Sequence, residues 1–214
     1  MKLPPPPTQR DRVIYAAAAV VLSYPDDVVL ERVPLVEAAL AEVGALDGFA
    51  STIAHLRSMP QLELQSWHVQ EFDLSRRHAL HLTFWTAGDT RRRGEVLASI
   101  KQTYRDSGLL VDLDGELPDY LPMVLEFAAN GAPGLGVALL NTYRGSLELL
   151  RMGLEKDSLP HAGVIAAICE TLPGESPQTK DEARKLMGPP PTEFVGLDTF
   201  LNTTPFQMSG QQGG

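Results

Sequence analysis

Cysteine is nearly missing from this chain of 214 residues: Cys169 is the only one. One thiol excludes an intrachain disulfide framework and any cysteine-based zinc or iron–sulfur site built by a single copy. Positive charge is also short. The 18 Lys and Arg are outnumbered by 27 Asp and Glu, giving a formal net charge of −9 and a pI near 5.0. That balance argues against a general nucleic-acid binder, which needs a basic face to release counterions from phosphates. It argues equally against an anionic membrane surface as the main partner. Aromatics make up 7%, and no stretch alternates in the manner of a half-buried strand. The apolar run Val13–Leu22 is far shorter than the roughly 20 residues a membrane span requires.

That run is preceded by Lys2, Arg10 and Arg12, a loose likeness to a secretion signal. Asp11 and the prolines Pro4 to Pro7 interrupt the basic part. Ser23-Tyr24-Pro25 offers no small-x-small cleavage pattern. The expectation is a disordered leader over residues 1–8 and a cytoplasmic protein, which also suits the lone thiol.

What is present is helical periodicity. Thr8 is placed to cap a first helix that ends by Tyr24, and a second follows Asp26 with Leu30, Val33, Leu40 and Val43 on one side. Pro34 must lie near its start or kink it. A third covers about 47–58. Further helices are predicted over 61–72, from Ser75 through Trp85, and from Asp89 or Thr90 to Ser107. Others cover Leu117 to Asn130 with Pro118 in the first turn, Leu135 to Lys156, and Pro160 to Leu172. Asp181 to Met187 suits one short helix more. Beyond Gly188, Pro and Gly punctuate the sequence, and residues 188–214 read as a flexible tail. The expectation is therefore an all-α bundle, a single domain over 9–187.

Few side chains form a pattern that demands chemistry. His78 and His81 stand three apart near Glu71 and Asp73, with no His-Glu-x-x-His frame. Cys169 sits among Val164, Ile165, Ile168 and Leu172, the setting of a buried, inert thiol. No nucleophile elbow and no phosphate-binding glycine loop occurs. Nothing among these residues demands an enzyme, and no resident cofactor is expected. Arg91-Arg92-Arg93 is the densest basic cluster. It reads either as a solvated helix end or as a phosphate site, the latter poorly matched to the overall acidity. Glu116-Leu117-Pro118-Asp119-Tyr120-Leu121-Pro122 is more distinctive. Its acids suit a helix N-terminus. Its alternation of acids with large apolar residues also suits a groove for an amphipathic basic peptide.

Three blocks together resemble the NarJ-type nitrate reductase assembly chaperones, within the wider TorD/DmsD redox-enzyme maturation family. They are Val69-Gln70-Glu71-Phe72-Asp73-Leu74, Gly88-Asp89-Thr90-Arg91-Arg92-Arg93-Gly94, and the Glu116–Pro122 stretch with Leu125-Glu126-Phe127. Ala79 to Trp85 fills the gap in the family's manner, and Pro190-Pro191-Thr192-Glu193-Phe194 is similar to an element near the family's C-terminus. His68, His81 and Trp85 depart from it, standing where tyrosines are expected.

The resemblance implies an all-helical, non-catalytic protein, a monomer with a dimer as the alternative. It implies binding to the N-terminal segment of the apo catalytic subunit of a respiratory nitrate reductase. The subunit would be held there until the molybdenum cofactor and an iron–sulfur cluster are inserted, and then docked at the membrane. On that reading Phe72, Tyr120, Leu121 and Phe127 form the floor of a peptide groove. Glu71, Asp73, Asp119 and Glu126 form its rim. The competing readings are a chaperone of a dimethyl-sulfoxide or trimethylamine-oxide reductase, a helical metal or small-ligand protein using His78, His81 and Glu71, and a self-associating helical scaffold.

Overall fold

Thr8 starts the first helix with a reciprocal cap. Its Oγ1 accepts from the Asp11 N–H at 3.2 Å, and the Asp11 carboxylate accepts from the Thr8 N–H at 2.9 Å. The computed structural model describes residues 5–87, 91–109, 111, 113, 115–131 and 134–187. Helix α1 (Gln9–Leu22) buries Ile14, Tyr15, Ala18, Val21 and Leu22 and ends ahead of Pro25, whose ring disfavours helix at the preceding residue. Asp26 caps α2 (Asp27–Glu42) through its side chain. Pro34 lies well inside α2, and the helix continues past it.

A 3-10 turn (Leu46–Phe49) leads into α3 (Ala50–Leu56). Helix α4 (Gln61–His68) continues as a wider π turn, Val69–Asp73. Then come α5 (Phe84–Ala87), α6 (Arg91–Asp106) and α7 (Leu121–Asn130). The chain continues through α8 (Leu135–Thr142), α9 (Arg144–Lys156), α10 (Ala162–Glu170) and α11 (Lys180–Lys185). No strand occurs among the described residues, only an isolated antiparallel bridge between His81 and Tyr120. The fold is all-α, as the periodicity predicts. The expected tail from residue 188 and leader residues 1–4 lie outside the described residues, as do Asp89 and Thr90.

Helix α1 is the hub, packed against α2, α7 and α10. Close crossings are made with glycine. A Cβ on Gly163 would collide with the Gly48 carbonyl where α10 meets the 3-10 turn, and one on Gly136 would collide with the Ala128 backbone where α8 meets α7. The core follows from these crossings: Ile14, Leu22, Leu40, Phe49, Leu121, Leu125, Leu140, Leu147 and Leu150 are all essentially sealed from solvent.

Three expected helices differ. Residues 75–85 do not form one helix. Their backbone groups have tertiary partners instead: Leu82 N–H donates to the Asp119 carbonyl at 3.0 Å, Leu121 N–H donates to the Leu80 carbonyl at 2.8 Å, and Ser146 Oγ donates to the Leu82 carbonyl at 2.9 Å. Groups so engaged cannot close i to i−4 bonds, and only the one-turn α5 remains. The helix expected from Leu117 begins at Leu121, with Pro122 rather than Pro118 in its first turn. The Pro118 carbonyl accepts instead from the Tyr104 hydroxyl at 2.7 Å. The single helix expected over 135–156 breaks at Tyr143 (φ −102°, ψ 21°). The break separates Gly136, which abuts α7, from Gly145, which abuts Ala183 and Met187 around α11.

Candidate peptide-binding groove

The outward side of α7 builds a broad hollow. Tyr120, Met123, Glu126 and Asn130 recur at helical spacing and face away from Leu121, Val124 and Leu125, which go inward. Opposite them α1 presents Ala16, Ala19, Val20 and Ser23, again three and four apart. Val29 and Arg32 of α2 close one wall, and Leu113 and Glu116 close the other. The groove so formed is open, with a volume of about 450 Å³. A second hollow of about 440 Å³ continues it over Met123, Glu126 and Phe127 towards Leu109 and Val111. Small side chains on α1 keep the floor low, so an apolar stripe from outside can approach the helix backbone.

The expected site residues divide into three groups. Tyr120, Glu126 and Phe127 line these hollows. The Tyr120 ring is half-buried, and its hydroxyl pKa is raised by burial first and then by the charges of Glu116 and Asp73. Glu126 is exposed and stands at the edge. Phe127 is mostly buried, its ring edge-on to Tyr104 with centroids 4.8 Å apart.

Asp119 and Leu121 form the second group, and both are fully buried. Asp119 is therefore not at a rim. Its Oδ2 accepts from the Thr83 N–H at 3.0 Å and the Thr83 hydroxyl at 2.6 Å. Its Oδ1 lies 3.4 Å from His81 Nδ1, and Arg93 stands 3.7 Å from Oδ2. Burial alone pushes the Asp119 pKa up, but the hydrogen bonds from His81 and Thr83 outweigh it and hold the carboxyl below its ordinary value. A buried carboxylate this well partnered ties residues 80–83 to the entry of α7. Leu121, expected on a groove floor, is core.

Glu71, Phe72 and Asp73 form the third group, on the π turn. Phe72 is buried in an aromatic and imidazole cluster with Trp67, His68 and His161, ring centroids 4.9 to 5.7 Å away. It is not on the groove floor. Glu71 is half-buried and meets His78 Nδ1 at 3.2 Å. Asp73 is exposed, its pKa raised by partial burial against an opposing pull from His81. Within the cluster, burial lowers the His68 pKa to about 4. His161 falls to about 3 through burial first and then the neighbouring His55 and His68.

The metal alternative built on His78, His81 and Glu71 is not brought together. His78 Nε2 faces Asp157 at 3.1 Å while its Nδ1 faces Glu71, and His81 turns to Asp119. Among the described residues no group of three His, Cys, Asp or Glu is placed to hold a metal ion. Cys169 is buried, with its thiol pKa pushed up by burial first. No helix among the described residues is long and apolar enough to cross a membrane. Of the three departures from the family pattern, His68 lies inside the ring cluster, and Trp85 donates to the Ala79 carbonyl at 3.1 Å. His81 reaches the groove only through the Tyr120 ring, 5.5 Å away.

Sequence reasoning missed the α1 wall, Met123 and Arg32. The signal was present in Ala16, Ala19, Val20 and Ser23 as a second stripe on a helix whose other face is fully apolar. Small residues in such a stripe read as ordinary helix formers until the facing helix is known.

Comparison with known proteins places the chain in a family. Residues 36–166 match the nitrate reductase delta subunit family. The nitrate reductase-like protein NarX of Mycobacterium tuberculosis is 39% identical over 161 residues, which are 74% of this chain but only 24% of that protein. The protein assigned as nitrate reductase molybdenum cofactor assembly chaperone NarJ of Bacillus subtilis is 29% identical over 167 residues, 75% of this chain and 89% of its own. A proposed redox enzyme maturation protein from Archaeoglobus fulgidus shares the fold, with a TM-score of 0.57 at 19% identity over 76% of this chain and 93% of its own. With more than half of its length inside the family match, the chain belongs to the nitrate reductase delta subunit family, that of the NarJ-type assembly chaperones.

Proposed function

We propose that this protein is a system-specific chaperone of a respiratory nitrate reductase. It binds the N-terminal segment of the apo catalytic subunit in the cytoplasm and holds that subunit while the molybdenum cofactor and an iron–sulfur cluster are inserted. Release then permits docking at the membrane. The observation that carries the reading is the groove between α1, α2 and α7, with its small-residue floor, its Tyr120 and Met123 contacts and the exposed Glu126 at its edge.

The mechanism is helix-in-groove docking. Apolar side chains of the client segment cover Ala16, Ala19, Val20 and Met123, supplying contact area that is otherwise wet. Glu116 and Glu126 select basic residues beside that apolar stripe and speed encounter more than they add affinity. Because the client must leave after maturation, the dissociation constant belongs between micromolar and tens of nanomolar, about 8–10 kcal/mol.

A pull-down of the catalytic subunit, with and without its N-terminal segment, tests the reading. Retention of the full-length subunit and loss of the truncated one is the expected pattern. Calorimetric titration with the isolated segment should show binding to the wild-type protein and none to Met123→Asp. Equal retention of the truncated subunit, or no binding of the segment to wild type, would remove this function.

A further inference from the structure

The groove does not end at α7. Beyond Leu109 and Val111 a third hollow of about 260 Å³ runs on to α6, where Tyr104 forms its floor and Lys101 and Arg105 stand beside it. Leu109 and Val111 belong to both the second and the third hollow, and Leu113 belongs to both the first and the third. One concave surface therefore crosses from α1 over α7 to α6, and its charge changes sign on the way. At the α7 edge stand the carboxylates of Glu116 and Glu126, with Arg32 on the opposite wall, so acid exceeds base there by one group. At the α6 end the described lining residues include two cations and no carboxylate. Lys101, Arg105, Glu116 and Glu126 are all exposed, and among the described residues none of their side chains takes part in an ion pair or hydrogen bond.

We infer that this surface reads the polarity of its client segment: Glu116 and Glu126 take a basic stretch, and Lys101 and Arg105 take a carboxylate-bearing stretch of the same segment, on the other side of a shared apolar stripe. The inference rests on the proposed chaperone reading and adds a register to it. Unpaired like charges at each end favour one orientation of a charge-polarised peptide and oppose the reverse. Reversal places carboxylate against Glu116 and Glu126 and ammonium against Lys101 and Arg105. Exposed charge pairs contribute little affinity singly, so the selection lies in the difference between orientations rather than in total binding.

The test uses the full chain and three fluorescent probes. One is the client's N-terminal segment. The others are two amphipathic helical peptides with the same leucine stripe, one lysine-rich then glutamate-rich, the other with the two charge blocks exchanged. The charged peptide in the matching orientation should bind about tenfold more tightly than its exchanged counterpart. The double variant Lys101→Glu with Arg105→Glu should abolish that preference and weaken the client segment about fivefold, with an unchanged thermal melt. Adding Glu116→Lys and Glu126→Lys to it should invert the preference. If the client segment binds but neither charged order nor the α6 variant changes anything, the register is wrong and the chaperone reading stands. If no probe binds the wild-type protein, both fall.

Discussion

Residues 116–122 lie in two environments within a few ångströms of each other. Asp119 and Leu121 are fully buried, while Glu116 is exposed and Tyr120 half-buried at the groove. The inward pair builds the scaffold: Asp119 fixes Thr83, and its backbone bonds Leu82. The outward pair faces whatever enters. On the proposed reading, a single block of sequence therefore carries a structural task on its inward residues and a recognition task on its outward ones. Polar groups on the two sides obey different energetics: inside, removing one partner strands another, whereas outside, water replaces it.

Breaking the inner half should have the largest effect. Asp119→Ala leaves the Thr83 donors and His81 without their acceptor and removes the Arg93 ion pair, and it should cost on the order of 3–5 kcal/mol in urea unfolding. Glu126→Ala should leave the unfolding midpoint where it is. Equal stability of the two variants would erase the distinction.

Acid probes the inside next. The folded-state pKa values of His68 and His161 are lowered to about 4 and about 3. The unfolded chain therefore takes up more protons as pH drops below 6.5. The stability they help to hold is complete above that pH and is lost as the solution is acidified towards pH 4. At pH 5 the loss is about 2 kcal/mol for each histidine. His68→Phe should flatten the pH profile of unfolding, and an unaltered profile would contradict the placement of this ring in a dry cluster.

The outer half should show in binding, with smaller energies. Tyr120→Ala should weaken the client segment about tenfold by loss of one aromatic contact, while Tyr120→Phe stays close to wild type. Titration calorimetry on both variants distinguishes them. Smallest of all is the ionic-strength effect: association of the segment should slow as salt rises, with little change in dissociation. Stopped-flow traces independent of salt would deny the acids any steering role.

The division was half legible in the sequence. The cap at Thr8, periodicity and the family blocks led to the right fold class and to the stretch that holds Tyr120 and Glu126. They did not show that Asp119 turns inward, because local periodicity counts a carboxylate as a surface group. Only the return of Leu80–Thr83 beside α7, a contact some 36 residues away in sequence, supplies its donors. The same long-range pairing dissolved the helix expected over 75–85. Phe72 was a correct apolar choice in the wrong place, since a π turn rotates it into the histidine cluster. The α1 wall showed only as a second stripe of alanine, valine and serine, which reads as ordinary helix until the facing helix is known.

Backbone amide shifts of the labelled protein, followed as the client's N-terminal segment is added, report most directly on where that segment sits. Shifts concentrated at Ala16, Val20, Met123, Glu126 and Asn130, with the His55, Trp67 and His161 cluster unmoved, are the predicted result. Saturable shifts centred on that cluster or on α9 and α11, with the α1 and α7 faces unchanged, would contradict the groove as the binding site.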